Sequence, residues 1–280
     1  MRMTMAMLAA VLACNVASAQ QPAEIEDRLV TVPLSRGSEL NLVVSRRIDT
    51  HPSIAVLLFA GYPGVLRIRE ENGNIAYDLR GNFLMRARRH LINDAISTVM
   101  VDCPRDQWRS CDDVYRSSDQ HAHDVGEVIA KVKQDYGFQK VYVMGTSYGT
   151  VSSSFLALKL GDSLTGAIHT ATFTDPAVSR NKGQGLALWN FDWKSIKMDQ
   201  LFVHHKDDAC TLTRYGSILA RKGAIPLITV RGSRDSRGDV CEAYSAHGFV
   251  GREAATMGAI ADWITTRTLT DTVGEDAADG

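Results

Sequence analysis

The sequence has no excess of charge of either sign and no long apolar run inside the chain. Its 31 Lys and Arg residues are balanced by 32 Asp and Glu residues, so the formal net charge is −1. A basic surplus is typical of proteins that bind nucleic acid or anionic membranes, so neither is expected as a partner. Beyond an N-terminal segment, no run approaches the roughly 20 apolar residues of a transmembrane helix, and the mature protein should have no integral membrane segment.

Internal repeats, low-complexity linkers and metal-binding spacings are also missing. No Cys-x-x-Cys pair occurs, and the pairs His121/His123 and His204/His205 lack further ligands at a known spacing. We therefore expect neither a metal nor a cofactor. Because no compositional break divides the chain and 45% of it is hydrophobic, residues 20–269 are predicted to form one domain with a substantial core. The small, acidic segment 270–280 is interpreted as a flexible tail.

The N-terminus has the features of an export signal. Arg2 supplies positive charge, an apolar run covers residues 3–13, and a small-residue cleavage sequence, Ala-Ser-Ala, follows at 17–19. Residues 1–19 are therefore predicted to be a signal peptide, which makes the mature protein periplasmic or secreted. Lipid anchoring through Cys14 is the less favoured alternative.

Export changes how the remaining cysteines are interpreted. Once Cys14 has been removed, an even number is left for an oxidising compartment, namely Cys103, Cys111, Cys210 and Cys241. Four cysteines permit three pairings. A bond between Cys103 and Cys111 would close a short loop, and one between Cys210 and Cys241 would join two loops further along.

Strand and helix patterns alternate along most of the chain, which is typical of a mostly parallel sheet with helices on both faces. Residues 28–34 and 40–47 are predicted to form a hairpin, and the continuous apolar run 54–59 a central strand. Further strands are predicted at 97–101, 141–144, 164–173, 200–204 and 225–230, the last of the chain. Helices are predicted at 118–136, 150–160, 211–221 and 252–266.

One segment combines a strand, a sharp turn that carries a serine, and a helix. The strand runs into Gly145-Thr146-Ser147-Tyr148-Gly149, and a helical pattern follows at 150–160. A Gly-x-Ser-x-Gly nucleophile elbow requires this context, because its serine has a strained backbone and its strand and helix approach too closely for flanking side chains. Ser147 is therefore the candidate nucleophile.

Two further residue types follow this serine in a diagnostic order. Asp207 and Asp208 come just after the predicted strand 200–204, and His247 comes after the predicted last strand. In this order of serine, carboxylate and histidine, the chain resembles the α/β-hydrolase superfamily over nearly its whole mature length. The resemblance implies an α/β fold, with a mostly parallel central sheet, helices on both faces and no large cap domain.

Three carboxylates compete for the role of orienting the histidine. The resemblance implies a pattern like His-Gly-x-x-Asp after the penultimate strand, and this pattern selects Asp208 when it is aligned with His204. His205 occupies the position where the pattern has glycine, so the alignment can be shifted by one residue. The shifted alignment makes Asp207 the second candidate. Asp175, after the preceding strand, is the third, since some members of the superfamily place the acid there.

His247 lies beside a glycine in the loop ahead of the closing helix. Such a histidine can reach the serine, and an imidazole titrates near neutral pH, which suits a general base. Cys210 lies two residues after Asp208, and Cys241 lies six residues before His247. A bond between these cysteines would tie the acid loop to the histidine loop.

The resemblance also implies an oxyanion hole made of two backbone N–H groups. One would come from Tyr148, directly after the nucleophile. The other is assigned to Tyr62 in the loop that follows the strand 54–59, with Gly61 as the alternative, because Pro63 has no N–H group. The segment 81–84 is a further candidate for the wall of the site.

The sequence thus predicts an exported serine hydrolase that cleaves carboxylic esters of small molecules through an acyl-enzyme, with Ser147, Asp208 and His247 as its triad. A peptidase or amidase on the same triad is one alternative, and a non-catalytic binding module on a hydrolase scaffold is another. Three aromatic residues between residues 172 and 198 could line an acyl pocket, although packing under a loop is their commoner role. They are Trp189, Phe191 and Trp193.

Overall fold

The computed structural model describes residues 24–175 and 188–275. The predicted signal peptide and Cys14 lie outside these residues. In the described part of the chain, nine strands form one sheet and two more form a separate hairpin. None of the helices in these two stretches is long and apolar enough to cross a membrane.

The main sheet carries helices on both of its faces. The strands are β1 (Ile25–Pro33), β2 (Glu39–Arg47), β3 (Ile54–Phe59), β4 (Arg69–Glu71), β5 (Asn74–Ala76), β6 (Ile96–Val101), β7 (Lys140–Thr146), β8 (Gly166–Thr170), β9 (Asp199–His205), β10 (Leu227–Val230) and β11 (Thr272–Val273). The helices are α1 (Phe83–Ala87), α2 (Asp113–Arg116), α3 (Asp119–Tyr136), α4 (Thr150–Leu160), α5 (Tyr215–Arg221) and α6 (Glu253–Thr266).

The topology of the sheet confirms the predicted fold class. The strand order is β1-β2-β6-β3-β7-β8-β9-β10-β11. The hairpin β1–β2 is antiparallel and joins β6 in antiparallel orientation. Every pair from β6 to β11 is parallel. The carboxyl ends of β3, β7, β9 and β10 therefore meet at one edge, where the loops that follow them converge.

The central strands are apolar throughout because both faces of the sheet are covered. Every residue of β3 and β6 is buried, as expected for parallel strands between two helical layers. Side chains of α3, α4 and α5 pack in the apolar cluster on one face. Side chains of α1 and α6 pack in the cluster on the other. This two-sided burial holds the ends of the strands, and hence the loops, in place.

The C-terminal part differs from the sequence prediction in two places. The helix predicted at 211–221 begins only at Tyr215, because the preceding residues form a turn that faces the acid loop. The strand predicted as the last of the chain is followed by β11, which pairs in parallel with β10. Thr272 and Val273 therefore lie at the sheet edge, within the segment 270–280 that was predicted to be a flexible tail, and 276–280 lie outside the described part. A two-residue strand is too short to leave a periodic pattern in the sequence.

Candidate active site

Ser147 lies on the tight turn between β7 and α4. Its φ is +52°, a left-handed conformation that residues with a side chain adopt rarely. The two flanking glycines permit the turn, since a Cβ on Gly145 would overlap the backbone of Gly149, and one on Gly149 would overlap the carbonyl of Phe59. The strained turn predicted from the sequence is present, and it holds the serine at the carboxyl edge of the sheet.

His247 meets one of the three candidate carboxylates. Its Nδ1 lies 3.1 Å from Asp208 Oδ2, and both side chains are buried. The side chain of Asp207 is 57% exposed and lies 3.9 Å from His205. Asp175 accepts a hydrogen bond from Ser217 Oγ at 2.7 Å. Of the three, Asp208 is the one in hydrogen-bond contact with His247.

His205, which stands where the family pattern has glycine, is a buried structural residue. Its Nδ1 accepts a hydrogen bond from the backbone N–H of Asp207 at 3.1 Å. Its Nε2 lies 3.1 Å from Ser233 Oγ. The imidazole thus bridges the acid loop and the loop after β10, and burial lowers its pKa. The departure from glycine is compatible with Asp208 facing His247.

Thr213 completes this contact, although the sequence pattern does not point to it. Its Oγ1 lies 2.8 Å from Asp208 Oδ2 and 3.0 Å from His247 Nδ1, and the side chain is fully buried. The hydroxyl donates to the carboxylate, so its oxygen and Asp208 both face the Nδ1–H group of the imidazole. This partner set favours the tautomer whose Nε2 is free to accept a proton. A lone threonine in a polar turn carries no motif that would have identified it.

Ser147 and His247 line one cleft of about 320 Å³. Its walls come from the loop after β3, the turn before α1 and the loop before α6, and they include Gly61, Tyr62, Leu79, Asn82, Phe83, Cys241, Glu242 and Ala243. The segment 81–84, a candidate wall in the sequence, therefore contributes two residues. The described residues contain no cap domain, and 176–187 of the insertion lie outside them.

The aromatic residues of the insertion pack against the protein. Trp193 is buried, and its Nε1 donates to Ser154 Oγ of α4 at 2.9 Å. Phe191 packs edge-on against Phe155 of the same helix, with ring centroids 5.0 Å apart. Trp189 is exposed. These contacts favour the packing role for Trp193 and Phe191 over a role in an acyl pocket.

The loop after β3 lies directly against the nucleophile. A Cβ on Gly61 would lie 3.4 Å from Ser147 Cβ and 3.3 Å from Thr146 O. Tyr62 stands 58% exposed at the cleft, and its ring packs on that of Tyr148 with centroids 6.0 Å apart. The loop is thus where an oxyanion hole would need it. The assignment of the donors to the N–H groups of Tyr62 and Tyr148 stays a prediction.

A buried arginine, Arg116, contacts both this loop and the helix that follows the elbow. Arg116 donates to Ser152 Oγ at 2.7 Å, to Cys111 O at 3.1 Å and to Gly64 O at 3.4 Å. Gly64 has a φ of +80°, and a Cβ there would overlap the guanidinium. Glycine is therefore required at this position for two reasons. The guanidinium also lies over the ring of Tyr148, 5.3 Å from its centroid, and burial raises the pKa of that phenol.

The four cysteines form two disulfides. Cys103 is bonded to Cys111, and Cys210 to Cys241, which selects one of the three possible pairings. The second bond links the acid loop to the histidine loop. Cys210 N–H donates to Asp208 Oδ1 at 2.9 Å, and Cys241 lines the cleft.

One group of described residues brings three potential metal ligands within 4.8 Å of one another, namely Asp208, Cys210 and His247. The sulfur of Cys210 is bonded to that of Cys241, so Cys210 cannot act as a thiolate ligand. His204 is a neutral structural residue, because burial lowers its pKa to about 3 and its Nε2 accepts the N–H of Thr172 at 2.8 Å.

Comparisons with known proteins bear on the fold. No protein-family model matches the chain, and no curated protein matches it. An α/β serine hydrolase without a lid from Xanthomonas campestris is 16% identical, with a TM-score of 0.54, over 87% of this chain and 95% of that chain. Est1E from Butyrivibrio proteoclasticus is 13% identical, with a TM-score of 0.57, over 84% and 97%. The esterase domain of a Rhodothermus marinus protein is 11% identical, with a TM-score of 0.53, over 85% and 97%. At these identities the likeness bears on the fold alone.

Proposed function

We propose that this chain, which has the α/β-hydrolase fold, is an exported serine hydrolase that cleaves carboxylic esters of small molecules. The observation that carries the proposal is a cleft lined by both Ser147 and His247, with the carboxylate of Asp208 hydrogen-bonded to His247 from behind. A serine on a strained elbow, a histidine with a free Nε2 and a buried carboxylate are the parts that acyl transfer needs. The fold that the chain shares with esterase structures is compatible with this class of reaction.

In the proposed mechanism, Ser147 Oγ attacks the carbonyl carbon of the ester while His247 Nε2 takes the hydroxyl proton. Asp208 and Thr213 hold the imidazolium through Nδ1–H, and the N–H groups of Tyr62 and Tyr148 bind the oxyanion. The tetrahedral intermediate collapses, His247 gives its proton to the departing alcohol, and an acyl-enzyme remains. Water then attacks with His247 as base, which releases the carboxylic acid and restores Ser147.

The cleft favours a small acyl group. Its volume of about 320 Å³ is near the lower end of the range of small-molecule sites. Leu79 and Phe83 are apolar residues of its wall, and Glu242, an acidic residue, also lines it. A short, uncharged acyl chain fits these walls better than a long chain or an anionic one.

A panel of p-nitrophenyl esters of increasing acyl length, measured beside aminoacyl amides, tests the function. We expect kcat/KM to be highest for acetyl to butyryl esters and to fall about tenfold or more by decanoyl, because a long acyl chain exceeds the cleft and can enter only at a steric cost. The amides should be cleaved more slowly than every short ester. Preference for the amides would replace the esterase assignment with an amidase.

Export is supported by the two disulfides, since such bonds form and persist in oxidising compartments. The signal-like pattern at residues 1–19 supports the same route. When the full sequence is expressed in a bacterial host, protein recovered outside the cytoplasm should have the mass of a chain that begins at Gln20. A mass that retains Met1, or one that includes lipid on Cys14, would contradict cleavage after Ala19.

A further inference from the structure

The side-chain amide of Asn82 has a defined orientation. Its Oδ1 accepts the backbone N–H of Leu84 at 3.2 Å and so caps α1. Because an N–H group can only donate, the oxygen of the amide must face Leu84 and the nitrogen must point away. Among the hydrogen bonds of the described residues, Nδ2 donates none. The cap therefore leaves an unused donor with two N–H groups.

Asn82 lies in the wall of the cleft that contains the nucleophile, Ser147. The position that a Cβ on Gly61 would occupy is 3.2 Å from Asn82 Nδ2 and 3.4 Å from Ser147 Cβ. Gly61 does not have a left-handed φ, so its backbone does not require glycine. The missing side chain instead lets the loop approach closely the amide, the serine and Thr146 O, which lies 3.3 Å from the same position.

The chemistry of the proposed reaction requires a donor in this region. When Ser147 attacks, the carbonyl oxygen becomes an oxyanion next to the loop of Gly61. A neutral N–H donor held in place before the reaction stabilises that charge without changing the charge of the free site, and side-chain amides serve this purpose in other hydrolases. Glu242, which also lines the cleft, can only accept a hydrogen bond when ionised and so cannot serve as this donor.

We propose that Asn82 is a further catalytic residue, whose Nδ2–H donates to the oxyanion of the tetrahedral intermediate and supplements the backbone donors. The inference rests on the proposed function and adds a residue to it.

The surroundings of Asn82 are suited to holding such a donor still. Its backbone N–H donates to Leu79 O at 2.8 Å, and its carbonyl accepts from Arg86 N at 3.0 Å. The guanidinium of Arg86 donates to Gly81 O and to Gly248 O, each at 2.6 Å. Arg86 thus connects the turn of Asn82 to the residue that follows His247. The turn of the amide and the loop of the histidine are thus joined through one guanidinium, the kind of support that preorganised sites require.

Asn82→Asp and Asn82→Ser test the proposal. Both variants keep an oxygen that can cap Leu84, so α1 and the unfolding temperature should change little. Asp replaces the donor with an acceptor, and Ser is too short to place a donor where Nδ2 lies. With p-nitrophenyl acetate, we expect kcat to fall about 100-fold in each variant, as for the loss of an oxyanion donor elsewhere. KM should change less than about threefold, because the bond forms only in the transition state.

A tetrahedral analogue supplies a readout that a purely structural role would not move. The inhibition constant of phenylboronic acid, which forms a tetrahedral adduct with the serine, should rise in both variants by about the factor by which kcat/KM falls. A rise in KM with kcat unchanged would make Asn82 a ground-state binding residue and overturn the proposal. Unchanged kinetics in folded variants would also overturn the proposal for Asn82. In that case the turnover of the wild type would still support the hydrolase function. A wild type without turnover or labelling by a fluorophosphonate would remove both.

Discussion

Ser147→Ala should abolish labelling by a fluorophosphonate probe and lower kcat for short p-nitrophenyl esters by about 10⁴–10⁶-fold. The expected loss is this large because the proposed acyl-enzyme forms only on Ser147 Oγ. Stability should barely change, since alanine also carries a Cβ and meets the same strain at a φ of +52°. Gel fluorescence of the labelled protein, steady-state rates and thermal unfolding of the same preparation measure the three quantities.

Ser163→Ala is the matched control. Ser163 is exposed in the turn after α4, whereas Ser147 precedes that helix, so its replacement should leave labelling and turnover as in the wild type. Substantial turnover by Ser147→Ala would exclude the proposed nucleophile. If the folded wild type is neither labelled nor active, the chain is better described as a binding module on a hydrolase scaffold.

Asp208→Asn should lower kcat about 10³–10⁴-fold with little change in KM, because an amide at this position no longer enforces the productive tautomer of the histidine. Asp208 Oδ2 now accepts from His247 Nδ1 and from Thr213 Oγ1. An asparagine can turn its NH₂ group toward the imidazole, which would then place its proton on Nε2 and could not act as a base. Steady-state kinetics with p-nitrophenyl acetate measure the change.

Asp207→Asn provides a control one residue away. Its side chain is largely exposed, so kcat should stay within about twofold of the wild type, as for surface substitutions away from a site. If Asp207→Asn lost as much activity as Asp208→Asn, the assignment of Asp208 as the residue that orients His247 would be contradicted.

Thr213→Val, which removes only the hydroxyl, should lower kcat by an intermediate amount, and Thr213→Ser should restore the rate.

The parts of the fold that were predicted correctly depend on local pattern. Continuous apolar runs indicated β3 and β6, and the helix predicted at 118–136 begins and ends where Ser118 caps it and Gly137 takes a φ of +73°. The elbow was visible because Gly145 and Gly149 stand two residues on either side of Ser147. The edge strand β11 was missed because two residues cannot display a period.

The candidate site, like the fold, was predictable from the sequence only in part. Chain order identified a serine, a pair of adjacent aspartates and a histidine as candidates, since these residue types and their sequence positions can be read without coordinates. It could not decide between Asp207 and Asp208, because neighbouring side chains diverge by an amount that depends on the conformation of the loop. Thr213 and Asn82 left no signal, because single polar residues in turns are common in every protein.

By itself, then, the sequence determined the class of fold, the strained serine turn and the order of the candidate catalytic residues, because these depend on interactions among residues close in the chain. Only the tertiary structure decided which carboxylate meets His247, how the four cysteines pair and which polar groups face the cleft. The decisive contacts join loops that are distant in the chain, such as Cys210 with Cys241, 31 residues apart, and Asp208 with His247, 39 residues apart. The parallel sheet brings these loops together at one edge, and no local pattern encodes the geometry at which they meet.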